Sequence, residues 1–115
     1  MTQYMILIYD READYATVSP EAWDSLHDAH RVFAKAVADL GGSIQGGAAV
    51  EPTMSARSVR GGGVTDGPFV DTKETLGGFY LLDARDLDQA LEIAKLCPAP
   101  AGGVEVRPVA DTSGA

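Results

Sequence analysis

Apolar residues along the chain occur in unbroken runs and at helical spacing. Gln3 to Tyr9 contains six apolar or aromatic residues in succession, and a second run lies at the centre of Gly77 to Asp83. Such runs predict strands, and their lack of alternation predicts that both faces of each strand are covered. Val104 to Arg107 alternates instead, which predicts a last strand with one exposed face.

Two further segments repeat apolar residues at steps of three and four, as on one side of an α-helix. In the first, Ser19 is a candidate N-cap and Pro20 takes the first helical position, where its missing N–H has no partner to lose. The predicted buried stripe is Trp23, Leu26, His30, Phe33, Val37 and Leu40, and Gly41-Gly42 ends the helix. The second helix opens on a pair that resembles a capping box, Asp86 and Gln89. Its predicted stripe is Leu87, Ala90, Leu91, Ala94 and Cys97, and Pro98 ends it.

Weaker strand signals lie between the two helices. Ser43 to Val50 is a candidate strand that contains two glycines, and Ser55 to Arg60 alternates as a half-exposed strand does. Gly61-Gly62-Gly63 then predicts a hairpin turn into a short return strand at Val64. Polar loops are predicted at Asp10 to Thr17 and at Asp66 to Glu74.

This order of elements predicts an α+β fold, a ferredoxin-like sandwich in which a hairpin is inserted between two βαβ units. Right-handed crossovers place both helices on the same face of an antiparallel sheet. Two helices cover only one face, whereas the strands are apolar on both. The simplest cover for the other face is a second copy of the chain, so a homodimer is expected.

Composition narrows the class of protein. At 115 residues the chain fits one domain, and its net charge of −8 argues against nucleic acid or an anionic membrane as a partner. We expect a cytoplasmic protein, because no apolar run approaches the roughly 20 residues of a membrane span and the N-terminus lacks the pattern of a signal peptide. Cys97 is the only cysteine, so no internal disulfide forms.

The segment Thr65 to Glu74 is chemically dense, with Asp66 before Gly67-Pro68 and then Asp71, Lys73 and Glu74. Together with the rest of the chain it resembles the YCII-related proteins, within them the subgroup named for an Asp-Gly-Pro-Phe motif, and the dimeric α+β barrel superfamily. The resemblance is carried by Tyr4 to Tyr9, Phe33 to Val37, Val64 to Phe69 with Thr72 to Glu74, Leu76 to Leu81, Cys97 to Ala99 and Gly103 to Val109.

The resemblance implies one domain over residues 1–109, a flexible tail over 110–115, and a dimer. In the wider family a helix histidine and a nearby aspartate have been proposed as an acid–base pair. His30 matches that histidine, because it lies eleven residues before Gly41. Most of the subgroup has no assigned reaction, and some relatives are encoded beside, or fused to, extracytoplasmic-function sigma factors.

His30 and Asp66 are the candidate catalytic residues. His30 stands in the apolar stripe, and its ordinary pKa near 6.5 suits proton transfer at neutral pH. The alternative is a core histidine that is hydrogen-bonded to the backbone. Asp66 would orient His30 or accept a proton from the substrate, or it would only close the turn at Gly67-Pro68 with its side chain.

The candidate binding residues are Asp71, Lys73, Glu74, Tyr9 and Arg57. The three loop residues would contact a ligand, or form a solvated local ion pair of little energetic value. Arg57 would bind an anionic substrate, or pair with Glu51 across strands, which we favour. Tyr9 would donate a hydrogen bond in a pocket or fill the dimer core. No metal or cofactor is expected, since the cysteine and histidines lack zinc spacing and the glycine pairs fit no nucleotide motif.

Two functions therefore compete. The first is a cofactor-free isomerase or lyase that moves a proton on a small organic substrate with a His-Asp pair. The second is a non-catalytic dimer that binds a small ligand or a protein partner in sigma-factor-linked regulation. A purely structural assembly module ranks third.

Overall fold

The computed structural model describes residues 1–15 and 19–113. Its elements follow the predicted order: β1 (Thr2–Asp10), α1 (Pro20–Asp39), β2 (Ser43–Ala49), β3 (Arg57–Arg60), β4 (Gly63–Asp66), β5 (Thr75–Ala84), α2 (Leu87–Ala94) and β6 (Gly102–Pro108). Four strands form an antiparallel sheet in the order β2-β5-β1-β6, and β3 and β4 pair separately. The α+β class is thereby confirmed, and the arrangement is consistent with a ferredoxin-like fold.

The ends of α1 are set by the residues that the sequence indicates. The Ser19 hydroxyl accepts a hydrogen bond from the backbone N–H of Ala22 at 3.2 Å, and Pro20 begins the helix. Gly41 takes a φ of +88°, a left-handed conformation that favours glycine, and so turns the chain out of the helix. Local chemistry alone therefore fixes both boundaries of α1.

The N-terminus of α2 also follows prediction, and its buried side does so in part: Ala90, Ala94 and Cys97 are buried as predicted, and Leu87 and Leu91 are not. The Asp86 carboxylate accepts from the backbone N–H of Gln89 at 2.9 Å, and the Gln89 amide donates to the carbonyl of Leu40 at 2.8 Å, which joins α2 to the end of α1. The buried residues are Ala90, Ile93, Ala94 and Cys97. Leu87 and Leu91 are exposed, because the helix turns the side of Ile93 towards the sheet.

The hydrophobic core lies on one face of the sheet, which we call the helix face. Alternate residues of β1 (Tyr4, Ile6 and Ile8) pack there with Leu82 and Ala84 of β5. Phe33 and Val37 from α1 join the same cluster as Ala90, Ile93 and Ala94 from α2. Both helices therefore cover the same face, as predicted.

The opposite face, which we call the open face, carries the intervening residues. Met5 lies opposite Leu81 and Leu7 opposite Phe79 in the pairing of β1 with β5, and all four are half-buried. Asp83 continues this row on β5, and its Oδ1 atom is buried with no hydrogen-bond partner among the described residues. The predicted burial of both strand faces is thus complete on the helix face and partial on the open face.

The β3–β4 hairpin stands apart from the main sheet. Ser58 is its only buried strand residue, while Val59 and Val64, which face each other across the pair, are 61% and 66% exposed. Thr53–Ser55 form a 3₁₀ turn, so the strand begins at Arg57, later than the predicted Ser55. The hairpin leaves the molecule flat, with extents of 45 × 40 × 18 Å.

A carboxylate joins the base of the hairpin to the segment after β1. Glu12, in a 3₁₀ helix over Glu12–Tyr15, accepts hydrogen bonds from the backbone N–H and the hydroxyl of Thr53, each at 2.7 Å. Part of the predicted Asp10–Thr17 loop is therefore ordered as helix, and its residues 16 and 17 lie outside the described residues, as do residues 114 and 115 of the predicted tail. Within the described ranges, no helix combines the length and apolarity that crossing a membrane requires.

Candidate functional site

His30 projects from α1 towards the helix face and meets Tyr80 of β5. Its Nδ1 atom lies 2.7 Å from the Tyr80 hydroxyl, a partly buried hydrogen bond between residues 50 positions apart. The two rings are 5.9 Å apart, and Phe33, one turn further along α1, packs 5.2 Å from the same tyrosine ring. The apolar stripe of α1 thus delivers an imidazole to a phenol at the margin of the core.

A glycine in the neighbouring strand gives Tyr80 its place. Gly47 lies opposite Tyr80 in the pairing of β2 with β5. A Cβ atom at Gly47 would lie 3.0 Å from the tyrosine ring and 2.6 Å from the carbonyl oxygen of Phe79. The distance to the carbonyl is too short for a side chain and the distance to the ring is tight, so a glycine at this position leaves the room that Tyr80 occupies.

Asp10 supplies a carboxylate at the end of β1. Alternation along β1 puts it on the helix face with Ile8, and the pairing register with β5 shifts between Ile8 and Tyr9, where Gly77 is the extra residue. One carboxylate oxygen, Oδ1, accepts from the backbone N–H of Ala101 at 3.2 Å, and the backbone carbonyl accepts from the Thr75 hydroxyl at 3.4 Å. Oδ2 makes no hydrogen bond to the described part of the chain.

Burial and neighbouring charges change the pKa values of His30, Tyr80 and Cys97. Burial lowers the pKa of His30, the charge of His27 lowers it further, and the negative charge of Asp10 opposes both. Burial raises the pKa of Tyr80 and raises that of Cys97 to about 12, with Asp10 adding to the effect on Cys97. At neutral pH the imidazole of His30, the phenol of Tyr80 and the thiol of Cys97 are therefore uncharged. Of these groups, the imidazole and the phenol are suited to proton transfer.

Asp66 and Arg57 lie in the hairpin and bind each other. Arg57 Nε lies 3.1 Å from Asp66 Oδ1, across the β3–β4 pair, and the Asp66 side chain is 91% exposed. The Arg57 guanidinium also donates to the carbonyls of Ala56 at 2.8 Å and Met54 at 3.4 Å. The cross-strand role expected for Arg57 is therefore present, with Asp66 as its partner in place of Glu51. His30 and Asp66 have separate partners.

Of the four remaining candidates, two line a cleft between the hairpin loop and the end of the sheet. Tyr9 and Glu74 line this cleft of about 630 Å³, together with Glu51, Phe69 and Leu76 among others. Asp71 and Lys73 are exposed and do not line it. Arg60 donates to the carbonyl of Phe69 at 2.8 Å, and its guanidinium lies 3.7 Å from the centre of the Phe69 ring.

Tyr9 alternates with Ile8, so it belongs to the open face, whereas His30 belongs to the helix face. Tyr9 and His30 therefore lie on opposite sides of the sheet, while Arg57 and Asp66 belong to the separate hairpin. No three His, Cys, Asp or Glu side chains within residues 1–15 and 19–113 gather as metal ligands would.

Sequence reasoning does not identify Tyr80 and Asp10. Tyr80 stands in the apolar run of β5, a context that predicts core, although it is the one residue there with a polar tip. Asp10 begins a predicted loop, although a carboxylate that directly follows a buried strand often lies at a site. Both signals are present in the chain, but only the folded structure shows that Tyr80 contacts His30 and that the charge of Asp10 acts on it.

Comparison with known proteins agrees with this structure. The chain is 37% identical to an uncharacterized protein of Rhizobium meliloti (strain 1021) over 115 aligned positions, which cover 93% of this chain and 91% of the relative. Residues 2–113 match the YCII-related domain. With an α+β sheet, two helices on one face and this match over nearly its whole length, the chain belongs to the YCII-related domain family.

Proposed function

We propose that this protein is an acid–base enzyme of the isomerase or lyase type, in which His30 and Asp10 exchange protons with a small organic substrate. The observation that carries this proposal is the 2.7 Å hydrogen bond between His30 Nδ1 and Tyr80 in a half-buried setting. An imidazole held by one nitrogen presents the other to a substrate in a defined direction. Isomerisation, elimination and lactone rearrangement suit such a site, because each proceeds by proton transfers alone.

Asp10 is the carboxylate of this proposal, in place of Asp66. The charge of Asp10 acts on His30, and one of its carboxylate oxygens has no protein partner in the described residues. Asp66 is neutralised by Arg57 and is almost fully solvated. A carboxylate that is paired and open to water on most sides is not positioned to act on a bound molecule together with His30.

The proposed enzyme is a homodimer that joins through its open face. One chain exposes 7665 Å² of surface, whereas a compact protein of 12.0 kDa exposes about 6,000 Å². The excess of about 1,700 Å² exceeds the roughly 800 Å² that each partner buries in a standard interface. The half-buried row of Met5, Leu7, Phe79 and Leu81 and the unpartnered Asp83 oxygen give this face the character of an interior.

Hydrogen–deuterium exchange at carbon tests the enzyme on many candidate substrates at once. The protein is incubated in D₂O with a panel of small ketones, lactones and phenols, and deuterium uptake is followed by proton NMR. We expect one class of compound to exchange with the unaltered protein, with exchange lost in His30→Gln and in Asp10→Asn.

Two further variants make this experiment specific. Asp66→Asn decides between the two carboxylates. If exchange is lost in Asp66→Asn and retained in Asp10→Asn, Asp66 and not Asp10 is the carboxylate that acts with His30. Asp39→Asn removes an exposed carboxylate of α1 that pairs with Lys35, and serves as the matched control. Exchange that persists in His30→Gln would contradict the proposed enzyme, as would a panel that neither exchanges nor shifts the His30 NMR signals.

The dimer has its own test, a molecular mass by analytical ultracentrifugation. We expect Leu81→Arg, in the open face, to give a monomer. Leu91→Arg, on the exposed side of α2, should leave the dimer intact. A monomeric unaltered protein would contradict this part of the proposal.

A second candidate function is ligand binding without catalysis, and the cleft at the hairpin favours it. Its lining combines apolar side chains with Tyr9, Glu51 and Glu74, and it does not include His30. A compound from the same panel that shifts the Tyr9 signals, leaves those of His30 unchanged and undergoes no exchange would support binding over catalysis.

A further inference from the structure

The hydrogen bond between His30 and Tyr80 has a direction, and we propose that Tyr80 is the donor, so that it holds His30 as the tautomer with its proton on Nε2. In this arrangement His30 presents an N–H group to the substrate. The inference rests on the acid–base function proposed above, and it assigns a role to each member of the pair.

The direction follows from counting donors and acceptors. A phenol hydroxyl that is partly withdrawn from water needs an acceptor for its proton, and Nδ1 of His30 is the only hydrogen-bond partner of the Tyr80 oxygen within the described residues. If Nδ1 carried the proton, it would donate to the tyrosine oxygen and the O–H group would point away without a protein acceptor. In that arrangement both the phenol O–H and the acceptor Nε2 are left without a protein partner, which is unfavourable for groups withdrawn from water. With Tyr80 as the donor, only Nε2–H is left, and it is the group that meets the substrate in this proposal.

The surrounding charges favour the same arrangement. Tyr80 from β5 contacts His30, the charges of His27 and Asp10 act on His30, and Cys97 acts on Tyr80. Burial keeps His30, Tyr80 and Cys97 in their neutral forms. A neutral imidazole has one donor and one acceptor nitrogen, and Tyr80 occupies the acceptor.

The roles of the pair follow. His30 Nε2–H donates a hydrogen bond to an acceptor atom of the substrate, and the Asp10 carboxylate takes the proton from the adjacent carbon and returns it to the same or another carbon. The substrate class is therefore a small carbonyl compound, such as a ketone or a lactone, whose oxygen becomes more negative as the proton leaves. A neutral imidazole suits this task, because it stabilises the developing oxyanion and is not itself consumed.

NMR of the ring nitrogens measures the tautomer directly. Long-range proton–nitrogen correlation spectra of uniformly ¹⁵N-labelled protein distinguish a protonated from an unprotonated imidazole nitrogen. The chain has two histidines, so the His27→Gln variant identifies the signals of His30. In the unaltered protein, well above the titration of His30, we expect Nε2 to be protonated and Nδ1 to be unprotonated, with well-separated nitrogen shifts.

The Tyr80→Phe variant tests the cause. It keeps the ring that packs on Phe33 and removes the donor, so the two nitrogen shifts of His30 should move towards each other as the tautomers mix. Tyr9→Phe removes a hydroxyl on the other side of the sheet and should leave both shifts unchanged. If Tyr80 had only a structural role, the nitrogen shifts of His30 would not change in a folded Tyr80→Phe variant.

Two outcomes would overturn the inference: a His30 in the unaltered protein with its proton on Nδ1, or a folded Tyr80→Phe variant with unchanged shifts. The spectrum of the unaltered protein decides the first point even if Tyr80→Phe does not fold. The tautomer and the enzymatic function can fail separately. If carbon exchange requires His30 but His30 carries its proton on Nδ1, the proposed role of Tyr80 is wrong and the proposed function stands. If His30 carries its proton on Nε2 but no compound exchanges, the role of Tyr80 stands and the proposed function is wrong.

Discussion

The helix face and the hairpin place polar groups in opposite environments. On the helix face His30 and Tyr80 are half-buried and share a hydrogen bond, so burial changes their pKa values. In the hairpin Arg57 and Asp66 are largely exposed and satisfy each other. The segment of the sequence with the most charged residues therefore belongs to the hairpin region, where solvent weakens the effect of each charge on its neighbours. Burial, more than the number of charged residues, indicates where proton chemistry is feasible.

The largest expected difference between the helix face and the hairpin is in how much the packing of one side chain contributes to stability. Phe33→Ala removes a ring that is 2% exposed at the centre of the core and should lower the free energy of unfolding by about 3–5 kcal/mol. Val59→Ala in the hairpin removes an exposed side chain and should change it by less than about 0.5 kcal/mol. Urea unfolding at one protein concentration measures both. Equal losses would mean that the hairpin is packed as tightly as the core.

The next effect compares two adjacent glycines of β2. Gly47→Ala should cost about 1–3 kcal/mol, because its Cβ atom meets the Phe79 carbonyl and the Tyr80 ring. Gly46→Ala is the matched control, since no atom lies within 4 Å of its added Cβ. We also expect Gly47→Ala alone to disturb the His30 NMR signals. If both variants unfold at the same urea concentration, Gly47 does not position Tyr80.

The pH dependence of stability sharpens the comparison further. The pKa of His30 is lower in the folded chain than its ordinary value of 6.5, so the unfolded chain binds more protons between the two values. The stability that neutral His30 contributes is therefore complete above pH 6.5 and is lost as the pH falls through the folded value. Urea unfolding from about pH 8 to pH 5 should show this decline.

Variants of the two histidines assign that decline. His30→Gln has no titrating group and should flatten the curve, whereas His27→Gln, which changes an exposed residue, should leave most of the slope. A decline that is unchanged in His30→Gln would show that another group is responsible.

The smallest effect is expected for the hairpin ion pair. A double-mutant cycle on Arg57→Ala and Asp66→Ala should give a coupling below about 1 kcal/mol, because both side chains are mostly exposed and solvent screens the pair. The coupling should shrink further in high salt. A coupling well above this value, or one that is insensitive to salt, would show that the pair is shielded from water and that the two regions are more alike than the structure indicates.

Much of the fold follows from the sequence because its signals are local. Ser19, Pro20 and Gly41 fix α1 through contacts within a few residues, and the apolar runs mark β1 and β5. The buried side of α2 is less predictable. Ala90 and Ala94 are buried as predicted, but Leu87 and Leu91 repeat at helical spacing as regularly as Ile93 does, and only packing against the sheet selects Ile93.

The candidate site is predictable only in part for the same reason. His30 is visible as an imidazole among apolar residues of one helix. Its link to Tyr80 spans 50 positions, and the face on which Asp10 lies depends on strand register and on the extra residue at Gly77. The ring of Tyr80 also depends on a glycine of another strand. These contacts depend on the tertiary structure, and a short segment of sequence does not reveal them.

Two hydrogen bonds between Glu12 and Thr53 attach the base of the hairpin to the segment after β1. Hydrogen bonding from the Thr53 side chain, more than any other contact, lowers the pKa of Glu12 below its ordinary 4.5. The stabilisation that this attachment provides is therefore complete above that pH and is lost as the pH falls through the folded value. On acidification we expect the amide protons of the hairpin to exchange with solvent before those of the central strands, so that the two regions open separately.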